Sequence, residues 1–449
     1  MMDIEFFICH NKKGEYMKFT KMSLVAALLI GSSAFAIENV KVGGDAKLFY
    51  STTDATGGTA NTLAGDPDGS LFEPDSSAAD VALSLDVSAD LFKNDLVSIS
   101  VGAGYTVLTT LGLENNLVSN VWGGAHTATA GNGASYPGAL GGAKVENASW
   151  LDEAWVAVTA GNSTVKLGRM ELDTPLAFTE TWSVEKNTFE AAVLVNQDIP
   201  DTTIVGAWVG NGNGTETFGQ DLNSNVSGLG LAMGAVVNAD GKFGTYGTDG
   251  AFALGVVNNS FKPLTAQAWY YDVQKVAKAT WLQADLNIEG ILAGAQYSTI
   301  ELHDAIAANV DSDVFAVMLG YEMKDTLTAK IAYSQVGEDF SAGWNTATGS
   351  GASKLYTESW WTYGQVTAAD TSAIALTLES PVNGVVDLGL YAVMTDDGSV
   401  AEADMTEITL TAGKSFGPLD TSVAYIYTDF DVTGVDAVNT VQVFLTLNY

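Results

Sequence analysis

The chain is 449 residues long and strongly acidic, carrying 53 Asp and Glu against 19 Lys and Arg for a formal net charge of −34. Arginine occurs once, at Arg169, so the chain offers no basic surface for DNA or RNA phosphates, and no nucleic-acid partner is expected. Aromatic residues reach 10% and only eight prolines occur, which argues for order despite the acidic, glycine-rich composition.

Residues 1–16 carry no recognisable pattern and read as an over-extended N-terminus. From Met17 the text is MKFTKMSLVAALLIGSSAFA: Lys18 and Lys21 make a basic start, Leu24 to Ile30 an apolar middle, and Ala34-Phe35-Ala36 a small-residue cleavage site. That three-part pattern is a secretory signal peptide over 17–36, with cutting expected after Ala36. Its apolar stretch is too short to span a bilayer, and no later segment approaches the roughly 20 apolar residues that a membrane-crossing helix needs. The one cysteine, Cys9, lies in the N-terminal extension, so disulfide, zinc-thiolate and cysteine-nucleophile chemistry are not expected in the exported part.

Residues 37–449 then read as one domain built of strand-like runs of about ten residues. Strands are predicted near 40–52, 79–92, 96–109, 150–160, 163–170, 188–196, 202–209, 251–258 and 264–273. Further strands are predicted near 280–288, 291–300, 313–323, 327–336, 371–379, 385–395, 405–416, 419–430 and 438–449, making eighteen. Short connections such as Lys93-Asn94-Asp95, Gly161-Asn162, Glu289-Gly290 and Gly417-Pro418 carry turn residues. They alternate with longer connections, notably 53–78, 110–149, 210–250 and 337–370.

The side chains alternate as well. Leu83, Leu85 and Val87 interleave with Ser84, Asp86 and Ser88, and the last strand places Val441, Val443, Leu445, Leu447 and Tyr449 on one face. Thr440, Gln442, Thr446 and Asn448 take the other face, and only Phe444 breaks the polar pattern. Apolar-out, polar-in strands with short turns on one side and long loops on the other describe an all-β transmembrane antiparallel barrel. Phe49-Tyr50, Trp269 to Tyr271, Trp281, Tyr321, Tyr425 and Tyr427 lie near strand ends, where two interfacial girdles are expected. A large soluble sandwich or an acidic surface-layer protein also alternates, but predicts no sustained short/long rhythm.

The stretch VKLGRMELDTPLAFTETW, residues 165–182, resembles the strand-to-loop signature of OprD-like outer-membrane porins through Gly168-Arg169 and Leu172-Asp173-Thr174-Pro175-Leu176. NTFEAAVLV, TTIVGAWVGNGNG, FGTYGTDGAFALGVV and LTAQAWYYDV are similar to the following hairpins of Opr-type porins of epsilon-class proteobacteria. The resemblance implies an eighteen-stranded pore in the outer membrane whose long loop after the fifth strand folds inward. Here that loop is residues 171–187, and Arg169, Glu171, Asp173, Glu180, Glu185 and Lys186 become the expected constriction residues. Arg169 is expected either to pair with Glu171 or Asp173 at the loop root or to line the lumen wall.

Substrate-specific relatives resemble one another in lining the pore with arginines that guide carboxylates. A chain with one arginine cannot build that ladder, so passage of small hydrophilic solutes with a preference for cations is expected. Expected partners are outer-membrane lipid, those solutes and cations, and the barrel-assembly machinery through the C-terminal strand. The apolar outward positions suit lipid or a neighbouring barrel of a homotrimer alike. An acidic exported surface or adhesive protein without pore activity is the alternative.

No enzyme is expected. His126 and His303 fall in predicted loops, and His303-Asp304 lacks a nucleophile signature. Asp66, Asp68, Glu73 and Asp75 in GDPDGSLFEPD form a loose calcium candidate whose spacing fails the EF-hand pattern, as does Asp396-Asp397-Gly398. The glycine-rich GNGNG, GTYG and GDPDG segments lack the lysine and following helix of a phosphate loop, so no cofactor is expected.

Overall fold

A computed structural model describes residues 37–54, 70–73, 77–109, 111, 120–123, 127–130, 147–182, 184–214, 237, 241–247, 249–348, 351–382, 384–398, 403–432 and 435–449. The extension, the signal peptide, His126, Asp66, Asp68 and Asp75 lie outside the described residues.

Eighteen strands form the wall. They are β1 (Asp45–Thr53), β2 (Ser77–Lys93), β3 (Val97–Thr109), β4 (Asn147–Ala160), β5 (Ser163–Met170) and β6 (Phe189–Asn196). Next come β7 (Thr202–Gly212), β8 (Ala251–Asn258), β9 (Leu264–Val273), β10 (Ala277–Ile288), β11 (Ile291–Leu302) and β12 (Asp311–Met323). The last six are β13 (Leu327–Val336), β14 (Thr371–Val382), β15 (Val386–Asp397), β16 (Met405–Phe416), β17 (Leu419–Phe430) and β18 (Val438–Asn448). Each pairs antiparallel with the next, and β1 pairs with β18 from Asp45↔Asn448 to Thr53↔Thr440, so the sheet closes and leaves no edge.

The seam is clasped at its lower end. The segment Glu38–Gly43 continues β1 and pairs with β2 after a break at Gly44. Gly44 exchanges backbone hydrogen bonds with the terminal residue, Gly44 N to Tyr449 O at 3.1 Å and Tyr449 N to Gly44 O at 3.0 Å. The Tyr449 hydroxyl donates to Ser84 O at 2.5 Å. A β-carbon on Gly44 would lie 2.1 Å from Ser84 O, so only glycine lets the three strands meet here.

The period-2 pattern maps onto the two faces of the wall. Leu83, Leu85, Val165, Leu167, Leu194, Phe252, Leu254 and Leu319 stand exposed on the outer surface, as expected of a lipid-facing band. The intervening positions point inward and are small or polar, or pack against the loops inside.

The aromatic residues divide between the faces, because neighbours along a strand point opposite ways. Tyr270, Tyr321 and Tyr425 are exposed outside, as a girdle requires, whereas Phe49, Trp269, Tyr271 and Trp281 are buried on the inner side. The expectation that the whole group forms interfacial girdles is corrected accordingly.

Candidate functional site: a lumen narrowed by two loops

The connection from β5 to β6 turns inward as a miniature hairpin. Thr179 N donates to Leu172 O at 2.8 Å, Thr174 Oγ1 donates to Ala177 O at 2.7 Å, and Pro175 sits at the tip. Leu172 and Leu176 pack into an apolar cluster with Val209, Tyr246, Ala251 and Tyr271 of the inner wall and an adjoining connection. The sequence supplies this anchor because alternate residues of the hairpin are apolar, which a solvated loop would not need.

A second loop, residues 337–370 between β13 and β14, meets it inside the barrel. Reading the length of this connection alone treats it as one of the long outer loops; the structure brings it into the lumen. Asn345 accepts from Phe178 N at 3.1 Å and donates through Nδ2 to Phe178 O at 3.0 Å. Thr346 N donates to Leu176 O at 2.9 Å, and Thr346 Oγ1 donates to the same carbonyl at 2.7 Å.

Wall residues hold this second loop from behind. Glu407 of β16 is buried and accepts from Trp361 N at 3.0 Å and Thr362 N at 2.8 Å. Gln296 of β11 accepts from Tyr356 N at 3.1 Å and donates to Lys354 O at 2.8 Å. The Tyr356 hydroxyl reaches Asp285 at 2.5 Å, over Gly294, where any β-carbon would collide with the phenol. Trp361 lies 6.1 Å from the Phe49 ring and 5.5 Å from Trp182, and Phe49 meets Phe444 at 6.0 Å edge-to-face. Phe444, the residue that breaks the polar face of the last strand, is part of this anchor. The one signal for it in the sequence is that break, together with the aromatic run Trp360-Trp361-Thr362-Tyr363.

The expected constriction residues sort by position. Glu180 is buried between the loops, where it accepts from Asn345 Nδ2 at 2.8 Å and Trp182 Nε1 at 2.8 Å and also contacts Thr348 Oγ1. Glu185 is buried nearby in the same loop. Asp173 is exposed and pairs with Lys354 of the second loop. Lys186 pairs with Glu153 of β4 at 2.9 Å and with Glu171, and stands 4.0 Å from Asp152. Burial works against its charge, yet the Glu171 and Glu153 carboxylates prevail and hold the ammonium proton above the ordinary lysine range. Lys166 of β5 lies 4.3 Å over the Trp155 ring on the inner wall.

Arg169 departs from both expectations. In β5 it shares parity with Val165 and Leu167, which are exposed on the outer face, and its register partner on β6 is Glu190. Its Nε donates to Glu190 at 2.9 Å, Nη1 donates to Leu151 O at 2.7 Å, and the guanidinium lies 4.0 Å over Phe243. The reason is the alternation itself, which aims position 169 away from the lumen while Lys166 and Met170 point in. Glu171 and Asp173 take lysines instead.

Of the catalytic and calcium candidates, His303 and Glu73 are placed as follows. His303 Nδ1 accepts from Ala305 N at 3.1 Å and so closes its own turn. Glu73 uses its backbone carbonyl to accept from Ser77 Oγ at 2.7 Å. Among the described residues no group of three or more His, Cys, Asp or Glu side chains stands in a metal-holding arrangement.

No protein-family model matches the chain, and no curated protein matches it. Solved structures do. The outer membrane protein OpdK of Pseudomonas aeruginosa superposes with a TM-score of 0.66 at 12% identity, covering 93% of this chain and 100% of that one. OccK9 (OpdG) of the same organism gives 0.68 at 11% identity over 92% and 98% of the two chains. OccAB3 of Acinetobacter baumannii gives 0.66 at 12% identity over 92% and 99%. At such identities the likeness is one of fold: the eighteen-stranded barrel is shared nearly end to end.

Proposed function

We propose that the chain is an outer-membrane porin that lets small hydrophilic solutes diffuse passively through its lumen. The observation that carries this reading is a closed barrel, apolar outside, whose interior is narrowed by two docked loops bearing paired charges. A packed soluble β-protein has no use for exposed Leu and Phe around its whole circumference. Export through the signal peptide at 17–36, with Met17 as the start and residues 37–449 as the mature barrel, belongs to the same reading. No bond is made or broken. Selection rests on the size of the gap and on the field of its charged rim.

A preference for cations follows from the charge balance. With Arg169 turned outward, the cationic groups identified inside are lysines, and Lys186 and Lys354 are each engaged by carboxylates. Glu171, Asp173, Glu153 and Asp86 face the inner space or its mouth, and their field draws cations in, most strongly at low salt. The reversal potential of the purified mature protein in a planar bilayer under a potassium chloride gradient tests both parts. A cation-selective pore supports the whole reading. An anion-selective pore keeps the porin and removes the cation preference. Absence of conductance from folded protein would favour the acidic surface protein instead.

A further inference from the structure

Two adjacent tryptophans of the second loop take opposite directions. Trp361 is tucked between Phe49 and Trp182 and holds the loop to the wall. Trp360 turns the other way and meets Tyr391 of β15, with ring centroids 4.7 Å apart and planes inclined by 31°. It remains 37% exposed, and its indole N–H donates to no described residue. Tyr391 stands on the inner side of β15, because Leu388 and Met394, of the other parity, are exposed outside. The open surface of Trp360 therefore looks into the lumen. Loop anchoring is served by Trp361 and does not account for that open face.

The wall is shaped to seat the pair. Tyr391 lies over Gly389, where a β-carbon would come 2.6 Å from Tyr391 Cε2 and 2.5 Å from Thr411 Oγ1. The phenol hydroxyl donates to Glu379 of β14 at 2.9 Å through Oε1. That bond fixes the Tyr391 ring, and the fixed ring backs Trp360. Glu379 Oε2 takes no hydrogen bond from any described residue. Lys330 of β13 shares a register row with Thr377 and Tyr391. Its stem lies over Gly320 of β12, the side away from β15, with Cγ 3.0 Å from the point a β-carbon would take there. The platform thus offers an aromatic face, an N–H donor and one half-used carboxylate.

We propose that Trp360, backed by Tyr391 and edged by Glu379, is a stacking subsite for a neutral ring-shaped polyol, a monosaccharide in its pyranose form. A pyranose has a face of C–H groups and a rim of hydroxyls. The face covers the indole and takes apolar surface out of water. The rim accepts from Trp360 Nε1 and donates to Glu379 Oε2, since a hydroxyl does both. An ammonium group only donates, so an organic cation over the ring would leave the indole N–H idle. The subsite rests on the porin reading above and names a solute class for it.

Saturation-transfer NMR with D-glucose and the mature barrel in detergent reads the contact without needing a conducting pore. Transfer is expected to the C–H protons of one sugar face. Removing the stacked face in Trp360→Ala should raise the half-saturating glucose concentration by about tenfold. Trp360→Phe keeps a ring on Tyr391 and loses the N–H, so its transfer should persist at reduced strength. Resistance of 337–370 to protease confirms that the loop stays docked in each variant. No transfer in the native protein overturns the proposal, as does undiminished transfer in Trp360→Ala. Complete loss in Trp360→Phe with the loop still docked overturns it too. Transfer to tetramethylammonium but not to glucose assigns the face to organic cations and overturns the polyol. Planar-bilayer conductance is measured separately. Glucose contact in a barrel that does not conduct sinks the porin reading alone, and a conducting barrel without glucose contact sinks the subsite alone.

Discussion

Asn345 reads the backbone of Phe178 as a neighbouring strand would, accepting from its N–H at 3.1 Å and donating to its carbonyl at 3.0 Å. The same amide nitrogen also reaches Glu180 at 2.8 Å, so one side chain locks the two inward loops together. Asn345→Ala removes these bonds and leaves the Phe178 peptide and Glu180 short of partners in a buried place. The expected cost at the loop junction is about 1–3 kcal/mol. Wall strands are untouched, so barrel melting should hardly move. Single-channel recordings should show larger conductance and more open-state noise, and a quiet, unchanged channel would refute the lock.

Trp361 is expected to matter for the same reason from the other side. Its ring stands between Phe49 on the wall and Trp182 on the constriction loop, and its backbone N–H is taken by Glu407. Trp361→Ala should loosen the second loop by about 2–3 kcal/mol, with the aromatic contacts the main loss. Protease cleavage within 337–370, slow in the native protein, should become fast while the strands remain resistant. Phe444→Leu keeps an apolar residue on the inner face and should show a weaker version of the same effect.

These loops also mark where the sequence stops being readable. The eighteen strands could be placed because period-2 alternation and turn residues are local properties, and the structure moves their ends by only a few residues. The inward fold of 171–187 is what the resemblance implies, and the apolar alternate residues of its hairpin fit that fold. That 337–370 also turns inward depends on partners far away in sequence, such as Glu407, Gln296 and Phe49, and the aromatic run Trp360-Trp361-Thr362-Tyr363 and the break at Phe444 do not by themselves identify them. Arg169 shows the converse. Its outward aim is legible in the alternation of Val165, Leu167 and Arg169, whereas its charge and the acids that follow it point to the loop root. The bulge between Gly104 and Tyr105 that shifts the β3–β4 register has no signal in the sequence.

Arg169→Ala should therefore leave the pore alone. Its ion pair with Glu190 is partly exposed on the outer face and contributes about 0–1 kcal/mol. Conductance and ion selectivity in a planar bilayer are expected to match the native protein, with at most a small drop in melting temperature. A changed reversal potential would place the guanidinium's influence inside the lumen after all.

Gly44→Ala tests the seam. The added carbon would fall 2.1 Å from Ser84 O, and backbone cannot yield as a side-chain end can. We expect a loss of about 1–3 kcal/mol from forced displacement at the junction of β1, β2 and the terminal Tyr449. Unfolding followed by tryptophan fluorescence in urea should shift to lower denaturant. Deleting Tyr449 should shift it the same way by removing the clasp rather than straining it.

Glu358 gives the second loop a pH dependence. Its carboxylate accepts from Ser353 N at 2.6 Å and Ser359 N at 3.0 Å, while Tyr363 and the acids Glu180 and Glu407 gather in the same region. Burial outweighs those donors and pushes Glu358 up to about 7. A carboxyl raised in the folded state above its unfolded value of 4.5 stabilises docking fully below pH 4.5 and loses that contribution as pH climbs through about 7. Loop docking should thus weaken from pH 5 to pH 8, read as growing current noise and faster cleavage within 337–370. Glu358→Gln is the control. It mimics the neutral carboxyl and should keep the loop quiet across the whole range, whereas noise that still rises with pH in Glu358→Gln assigns the switch to another group.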